Sequence, residues 1–231
     1  MFNIKRIKLL KVKKNLFFYN SNMFIKDLKS CGLSIGDNCI IYKPKNTLID
    51  LTSLDFIKIG NNVQITEGVK ILGHDYSYSV VTNKYNVLYR PQKETIIGNN
   101  VFIGMNSIIL MGSNIGNNVI IGAGSVVHGI VDSDSVYAGN PAKKICTLDE
   151  YKEKIEKKYE SSALCYYKNS YSKTKNMNIY KSLYTNENEM IEYINTIKPK
   201  GMDESILKSI VFKKSYDSLE DFLNKNMNGD V

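Results

Sequence analysis

Residues 97–127 read IGNNVFIGMNSIILMGSNIGNNVIIGAGSVV, and the period of this stretch decides the fold. Ile97, Ile103, Ile109, Ile115, Ile121 and Val127 stand six apart without a miss, and Gly98, Gly104, Gly116 and Gly122 each follow one of them. The same phase recurs upstream at Ile35, Ile41, Ile59, Ile65 and Ile71, with Gly36 and Gly60. A second row of smaller residues lies four positions after an aliphatic one: Val63, Val69, Val101, Ser107, Ser113, Val119 and Ser125. A period of six fits neither a helix at 3.6 nor a single strand at 2. It fits short flat strands joined by turns of repeating geometry, with the branched aliphatics pointing into a narrow prism. Glycine and asparagine suit the tight corners, where the backbone leaves the usual regions. Stacked coils bury a continuous Ile/Val ladder, so the spacing predicts a mainly β solenoid.

The repeat breaks once on a large scale. Ile71 and Ile97 are 26 residues apart, which is not a multiple of six, so a loop leaves the solenoid over about residues 74–94. It contains Tyr76, Tyr78, Tyr85 and Tyr89 beside Asp75, Asn83, Asn86 and Arg90. Rings and polar groups in this mixture suit stacking on and hydrogen bonding to a sugar; they equally suit packing onto a neighbouring subunit. His74 stands where the loop begins. A lone histidine is more often structural than catalytic, but a neutral imidazole at a loop onset has the chemistry to take a proton from an attacking hydroxyl.

The hexapeptide period over residues 33–146 resembles the hexapeptide-repeat acyltransferases, in which three hexapeptides make one triangular, left-handed coil. Gly73-His74-Asp75, the Ile97–Gly104 stretch and the terminal Asn140-Pro141-Ala142-Lys143-Lys144 are more specific. They resemble the sugar O-acetyltransferases, namely the galactoside and maltose enzymes and their polysaccharide-biosynthesis relatives. The resemblance implies a left-handed parallel β-helix, a homotrimer with sites between subunits, acetyl-CoA as co-substrate, a saccharide acceptor and His74 as catalytic base. Tyr76 and Arg90 of the loop are candidate acceptor contacts by their chemistry, as is Asp75, which could instead orient the His74 ring, and the resemblance places Phe102 on the acceptor or pantetheine side of the cleft. Phe102 stands where these enzymes commonly carry Trp, which keeps the packing and loses the indole donor. On the coenzyme side it places Gly104, Ala123, Gly124, Ser125 and His128, with Lys143 and Lys144 toward the phosphates. Two histidines per chain speak against the zinc-dependent carbonic anhydrases that share this fold, whose metal needs three, so no metal is expected. An amino-sugar N-acetyltransferase or a xenobiotic (drug) acetyltransferase on the same scaffold is the alternative.

The flanks are different in kind. The chain of 231 residues carries a net charge of +8. Residues 1–26 hold seven Lys/Arg and no acid, interleaved with apolar residues, while the remainder is nearly balanced. A basic arm over residues 1–32 follows, read either as docking on the folded domain or as touching an anionic membrane surface. No nucleic-acid motif accompanies the charge, so nucleic acid is not an expected partner. No run of about 18 apolar residues and no signal-like segment occurs. Cys31, Cys39, Cys146 and Cys165 lack CxxC spacing, which suits reduced thiols in a cytoplasm, with peripheral membrane contact through residues 1–26 the open question. After the β-helix (residues 33–146), residues 147–231 read as a helical extension. Thr147-Leu-Asp-Glu150 has a capping-box pattern before Leu148, Tyr151, Ile155 and Tyr159 at helical spacing, and further helices are expected at about 189–197 and from Ser218.

Overall fold

The structure, a computed structural model, describes Val12, residues 19–89 and 92–166, Asp221 and Lys225. The chain divides into two compact units, Met1–Asp149 and Glu150–Val231.

The first unit is the solenoid, a left-handed parallel β-helix with three sheets. One face stacks Ser34–Ile35, Ile57–Ile59, Thr95–Ile97, Asn114–Ile115 and Ile130–Val131. The second stacks Ile40–Ile41, Gln64–Ile65, Val101–Ile103, Val119–Ile121 and Ser135–Gly139. The third stacks Leu48–Ile49, Lys70–Ile71, Ile108–Ile109 and Val126–Val127. All these pairings are parallel and in register, so Ile59 lies under Ile97, Ile65 under Ile103 and Ile71 under Ile109. The isoleucines that carry the period are all buried, and most of them are among the largest fully buried side chains of the described residues. At about 1.5–3 kcal/mol for each fully buried aliphatic side chain, this ladder is the main source of the unit's cohesion. Ser107, Ser113 and Ser125 also point inward, and each hydroxyl donates to a carbonyl of the coil, on Gly122, Leu110 and Gly122 respectively. Their burial therefore leaves no donor unpaired.

The corner between the first and second faces explains the Gly-Asn-Asn signature. Asn38, Asn62, Asn100, Asn118 and Asp134 are all left-handed, with φ between 53° and 56°. Asparagine tolerates that region and adds side-chain hydrogen bonds along the stack: Asn100 Nδ2 donates to Asn118 Oδ1 and Asn118 Nδ2 to Asp134 Oδ1, both at 2.8 Å. A Cβ at Gly98 would come within 2.5 Å of the Gly116 carbonyl oxygen, so only glycine permits the coils to stack there.

Both ends of the prism are closed. Asn20 caps the helix Ser21–Ser30 by accepting the Met23 N–H, and Phe24 and Leu28 are buried in the same core as Val12 and the first coil. Ser21 Oγ accepts the N–H of Ile41 at 2.9 Å, which occupies a donor on the open edge of the second face. The helix falls within the segment read from its charge as an arm. At the other end, Ala142–Thr147 runs antiparallel to Ser135–Gly139. The helix expected after Thr147 spans Leu148–Tyr166 and leads into the second unit. Asp221 and Lys225 are helical and ion-paired at 3.0 Å, within the helix expected from Ser218; the one expected at 189–197 lies outside the described residues. All four cysteines are free thiols. Among the described residues no helix is long and apolar enough to cross a membrane.

Candidate active site

Two consecutive coils depart from the hexapeptide step at the same corner, between the third and first faces. In the first coil, Ile49 to Ile59 spans ten residues and includes a short 3-10 turn at Leu54–Phe56. In the next, Ile71 to Ile97 spans 26 and carries the loop, whose middle forms the helix Tyr78–Tyr85. The short insertion supplies Asp50, Thr52 and Ser53. The long one supplies Gly73, His74, Asp75 and Tyr76.

These residues meet around one carboxylate. Asp50 is almost wholly buried at the end of its strand. Thr52 donates to its Oδ1 twice, through N–H at 3.0 Å and through Oγ1 at 2.6 Å. Oδ2 takes the Gly73 N–H at 3.2 Å and the His74 Nδ1. The backbone comes this close because residue 73 is glycine; a Cβ there would lie 2.7 Å from Ser53 Cβ. Burial, the largest single influence on Asp50, pushes its carboxyl up. Hydrogen bonds from the Thr52 hydroxyl, His74, the Thr52 N–H and Ser53 together outweigh it and hold the group below the ordinary carboxylate value. Asp50 is thus an ionised acceptor, and His74 Nδ1 must be the donor. In the neutral ring the proton therefore sits on Nδ1 and the lone pair on Nε2, the tautomer a general base requires.

His74 borders a cleft of about 460 Å³ lined also by Thr52, Ser53, Asp75, Tyr76, Tyr78, Ser79, Thr82, Asn83, Leu88, Tyr89 and Gln92. Tyr76 packs against the imidazole, with ring centroids 4.2 Å apart and planes tilted by 55°. Asp75 is exposed; its Oδ1 accepts the Ser77 N–H at 2.8 Å, and that bond, with the Ser77 hydroxyl, holds its carboxyl below the ordinary range. The group on Nδ1 of His74 is therefore Asp50, not the adjacent Asp75. Tyr85 is exposed, with Lys84 Nζ 5.0 Å from its ring centre. Arg90 lies outside the described residues.

The other residues singled out from the sequence do not line this cleft. Phe102 points outward from the second face, 40% exposed, beside Gln64, Asn100, Asn118 and Ile120. Gly104, Ala123, Gly124 and Ser125 form the corner between the second and third faces. Gly104 is buried beneath the Ala123 backbone, and Ser125 turns inward, where its hydroxyl donates to the Gly122 carbonyl and accepts the Gly139 N–H. Ala123 and Gly124 remain exposed, with nothing within 4 Å of a Cβ built on Gly124. This corner thus offers a thin ligand open backbone, and Ser125 offers it no hydroxyl. His128 is exposed, in the column of Leu72 and Leu110. Lys143 and Lys144 are exposed on the last strand, and Lys144 Nζ pairs with Asp132 at 3.4 Å.

The model of the bacterial transferase hexapeptide family (six repeats) matches residues 94–129. Protein CapG of Staphylococcus aureus is 40% identical over 134 residues, 58% of this chain and 77% of CapG. The chain belongs to the hexapeptide-repeat acyltransferases. Solved structures similar to this acyltransferase include a hexapeptide-repeat acetyltransferase from Vibrio cholerae, with a TM-score of 0.49 at 20% identity over 63% of this chain and 91% of the other. A galactoside acetyltransferase in complex with coenzyme A has a TM-score of 0.46 at 23% identity, over 64% and 83%.

The sequence reading missed Asp50 and Thr52. A signal for them exists: the phase that runs through Ile41 calls for aliphatic residues at 47 and 53, where the chain has Thr47 and Ser53.

Proposed function

We propose that this acyltransferase moves the acetyl group of acetyl-CoA directly to a hydroxyl of a saccharide, with His74 as the base and Asp50 fixing its tautomer. The observation that carries this reading is the pairing of His74 with the buried Asp50 at the edge of a cleft rich in tyrosine, hydroxyl and amide groups. A hydroxyl needs proton removal as it attacks, and Nε2 is the atom for it. As the acceptor oxygen bonds to the thioester carbonyl carbon, its proton passes to Nε2 and the anionic Asp50 stabilises the resulting imidazolium. Collapse of the tetrahedral adduct breaks the C–S bond, and Nε2–H protonates the departing thiolate. The products are the O-acetyl ester and CoA, and the imidazole is neutral again.

In this reading the coenzyme lies along the exposed Ala123–Gly124 corner, with its phosphates toward Lys143 and Lys144. That corner, like Phe102, belongs to a different part of the prism from His74. A homotrimer resolves the separation by setting one subunit's coenzyme corner against the next subunit's His74 corner. The saccharide acceptor is supported by the three tyrosines of the cleft and by its hydroxyl and amide groups. The enzyme would work in the cytoplasm, with the basic residues 1–26 available to an anionic membrane surface.

Thiol release from acetyl-CoA with a panel of neutral sugars, amino sugars and chloramphenicol tests the proposal. The expected product is an O-acetyl sugar. Turnover confined to amines or to chloramphenicol would replace this reading with the N-acetyl or drug alternative.

A further inference from the structure

We propose that Tyr76 is a two-sided aromatic platform, which holds the His74 imidazole with one part of its ring and receives the C–H face of the acceptor pyranose on the other. The inference rests on the saccharide reading above and names the residue that would make it stereochemically selective.

His74 is anchored by a hydrogen bond at Nδ1. One hydrogen bond fixes the tautomer but leaves the ring able to rock about it, and a base that rocks spends little time aimed at the acceptor. The tilted contact with Tyr76 supplies the second restraint. Yet Tyr76 is 75% exposed and lines the cleft. A tyrosine serving only to pack a loop would be expected to lose most of its area to neighbours. Here the ring touches His74 and the residue lines the cleft in which an acceptor must sit to reach Nε2. The backbone at residue 76 is also held locally: the Asp75 carboxylate receives the Ser77 N–H, closing a turn around it.

The exposed part of such a ring suits a particular chemistry. A pyranose has one or both faces formed by C–H groups carrying partial positive charge, which pack against the negative π face of an aromatic ring. Its hydroxyls then project from the rim, toward Nε2 on one side and toward Thr82, Asn83 and Gln92 of the cleft on the other. A linear polyol or a small amino alcohol presents no such face. Tyr76 is therefore a positioning residue toward His74 and a binding residue toward the sugar, and its phenol oxygen has no essential part in either role.

The test compares the full-length wild type with Tyr76→Phe and Tyr76→Ala. Steady-state kinetics use acetyl-CoA with methyl hexopyranosides and N-acetylhexosaminides as acceptors. The same proteins are labelled with ¹⁵N-histidine: with His74 and His128 the only histidines, two ring systems appear, and a His128→Gln sample assigns them. Tyr76→Ala should lower kcat/KM for the acceptor about 10- to 100-fold, through both kcat and KM, because two ring contacts are lost together. KM for acetyl-CoA should stay within about two-fold, since the ring lies in the acceptor cleft. The His74 ring protons should move downfield as the ring current disappears. Tyr76→Phe should keep both the kinetics and the chemical shifts close to wild type. Equal damage in Phe and Ala would overturn the proposal, since the hydroxyl and not the face would then matter. So would an Ala variant with unchanged sugar kinetics. A wild type that acetylates a non-sugar hydroxyl but no pyranoside defeats the saccharide reading, and the platform with it. Normal sugar turnover in Tyr76→Ala defeats the platform alone.

Discussion

Asp50→Asn is the sharpest perturbation of the site, because it changes one charge and almost no volume. Besides the Ser53 side chain, Asp50 accepts two donors on each oxygen: the Thr52 N–H and hydroxyl on Oδ1, the Gly73 N–H and His74 Nδ1–H on Oδ2. An amide offers one oxygen and one NH₂. The two backbone donors cannot turn away, and they lie on opposite oxygens, so either orientation of the amide leaves one N–H facing an N–H. If the oxygen stays toward Thr52, the Gly73 N–H is orphaned and His74 must accept at Nδ1, which moves its proton to Nε2 and removes the base. If the oxygen turns to His74, the tautomer survives, but the Thr52 N–H is orphaned and no anion stabilises the imidazolium. Either way one unpaired buried donor costs about 1–3 kcal/mol of stability. Loss of the oriented base lowers kcat by about 10²–10⁴. The assay is thiol release under saturating acetyl-CoA, with the Kd for CoA by calorimetry as the control that should not move. Thermal melts add a pH signature. The folded carboxyl lies below its ordinary value of 3.8, so the stabilisation it contributes is complete above that value and is lost as the pH falls through the folded one. The Tm gap between wild type and Asp50→Asn should therefore be constant near neutrality and close below about pH 4. An Asp50→Asn enzyme retaining more than about a tenth of kcat would refute the pairing as the source of the base.

Three further outcomes follow from the same geometry. His74→Ala and His74→Asn should both lose about 10²–10⁴ in kcat while keeping CoA affinity and oligomeric state, since neither side chain takes a proton; Tm should fall in the Ala variant, which removes a charge-assisted hydrogen bond from the buried Asp50, and a kcat above about a tenth of wild type would move the base elsewhere. Replacing Lys143 and Lys144 together by Ala should raise KM for acetyl-CoA by the equivalent of about 1–3 kcal/mol and spare kcat; the exposed Lys144–Asp132 pair should add at most about 1 kcal/mol to the stability change, and an unmoved KM would place both lysines in solvent. Asn100→Ala, at φ 54° and hydrogen-bonded to Asn118, should destabilise by about 1–2 kcal/mol in chemical denaturation, with Asn100→Gly recovering the conformational part; equal losses in both would leave the left-handed corner without energetic weight.

The solenoid was legible because its physics is periodic. Each buried isoleucine faces the same interior, each corner demands the same backbone, and a short sequence motif therefore recurs until its spacing outruns chance. The register of Ile97, Ile115 and Val131 along one face, or of Ile65, Ile103 and Ile121 along another, needs only counting and local corner rules. The loop was legible for the same reason, as a failure of the count, and His74 because it stands where the failure begins.

Asp50 escaped because two departures from the repeat cancel. Eight residues separate Ile41 from Ile49, around the 3-10 turn at Pro44–Asn46, and ten separate Ile49 from Ile59, around the turn at Leu54–Phe56. Together they span eighteen residues, the length of three unbroken steps, although the chain takes only two, from the second face through the third to the first. The phase at Ile59 thus looks intact while the chain has inserted residues at two corners. One insertion carries Asp50 and Thr52, and their partner lies 24 positions away, across one coil, so no local pattern marks the pair. A repeat fixes which residues face inward; it is silent about which of its interruptions share a corner. That alignment of two unequal interruptions, one short and buried, one long and open, is what sets an anchored carboxylate on one side of the corner and an accessible imidazole on the other.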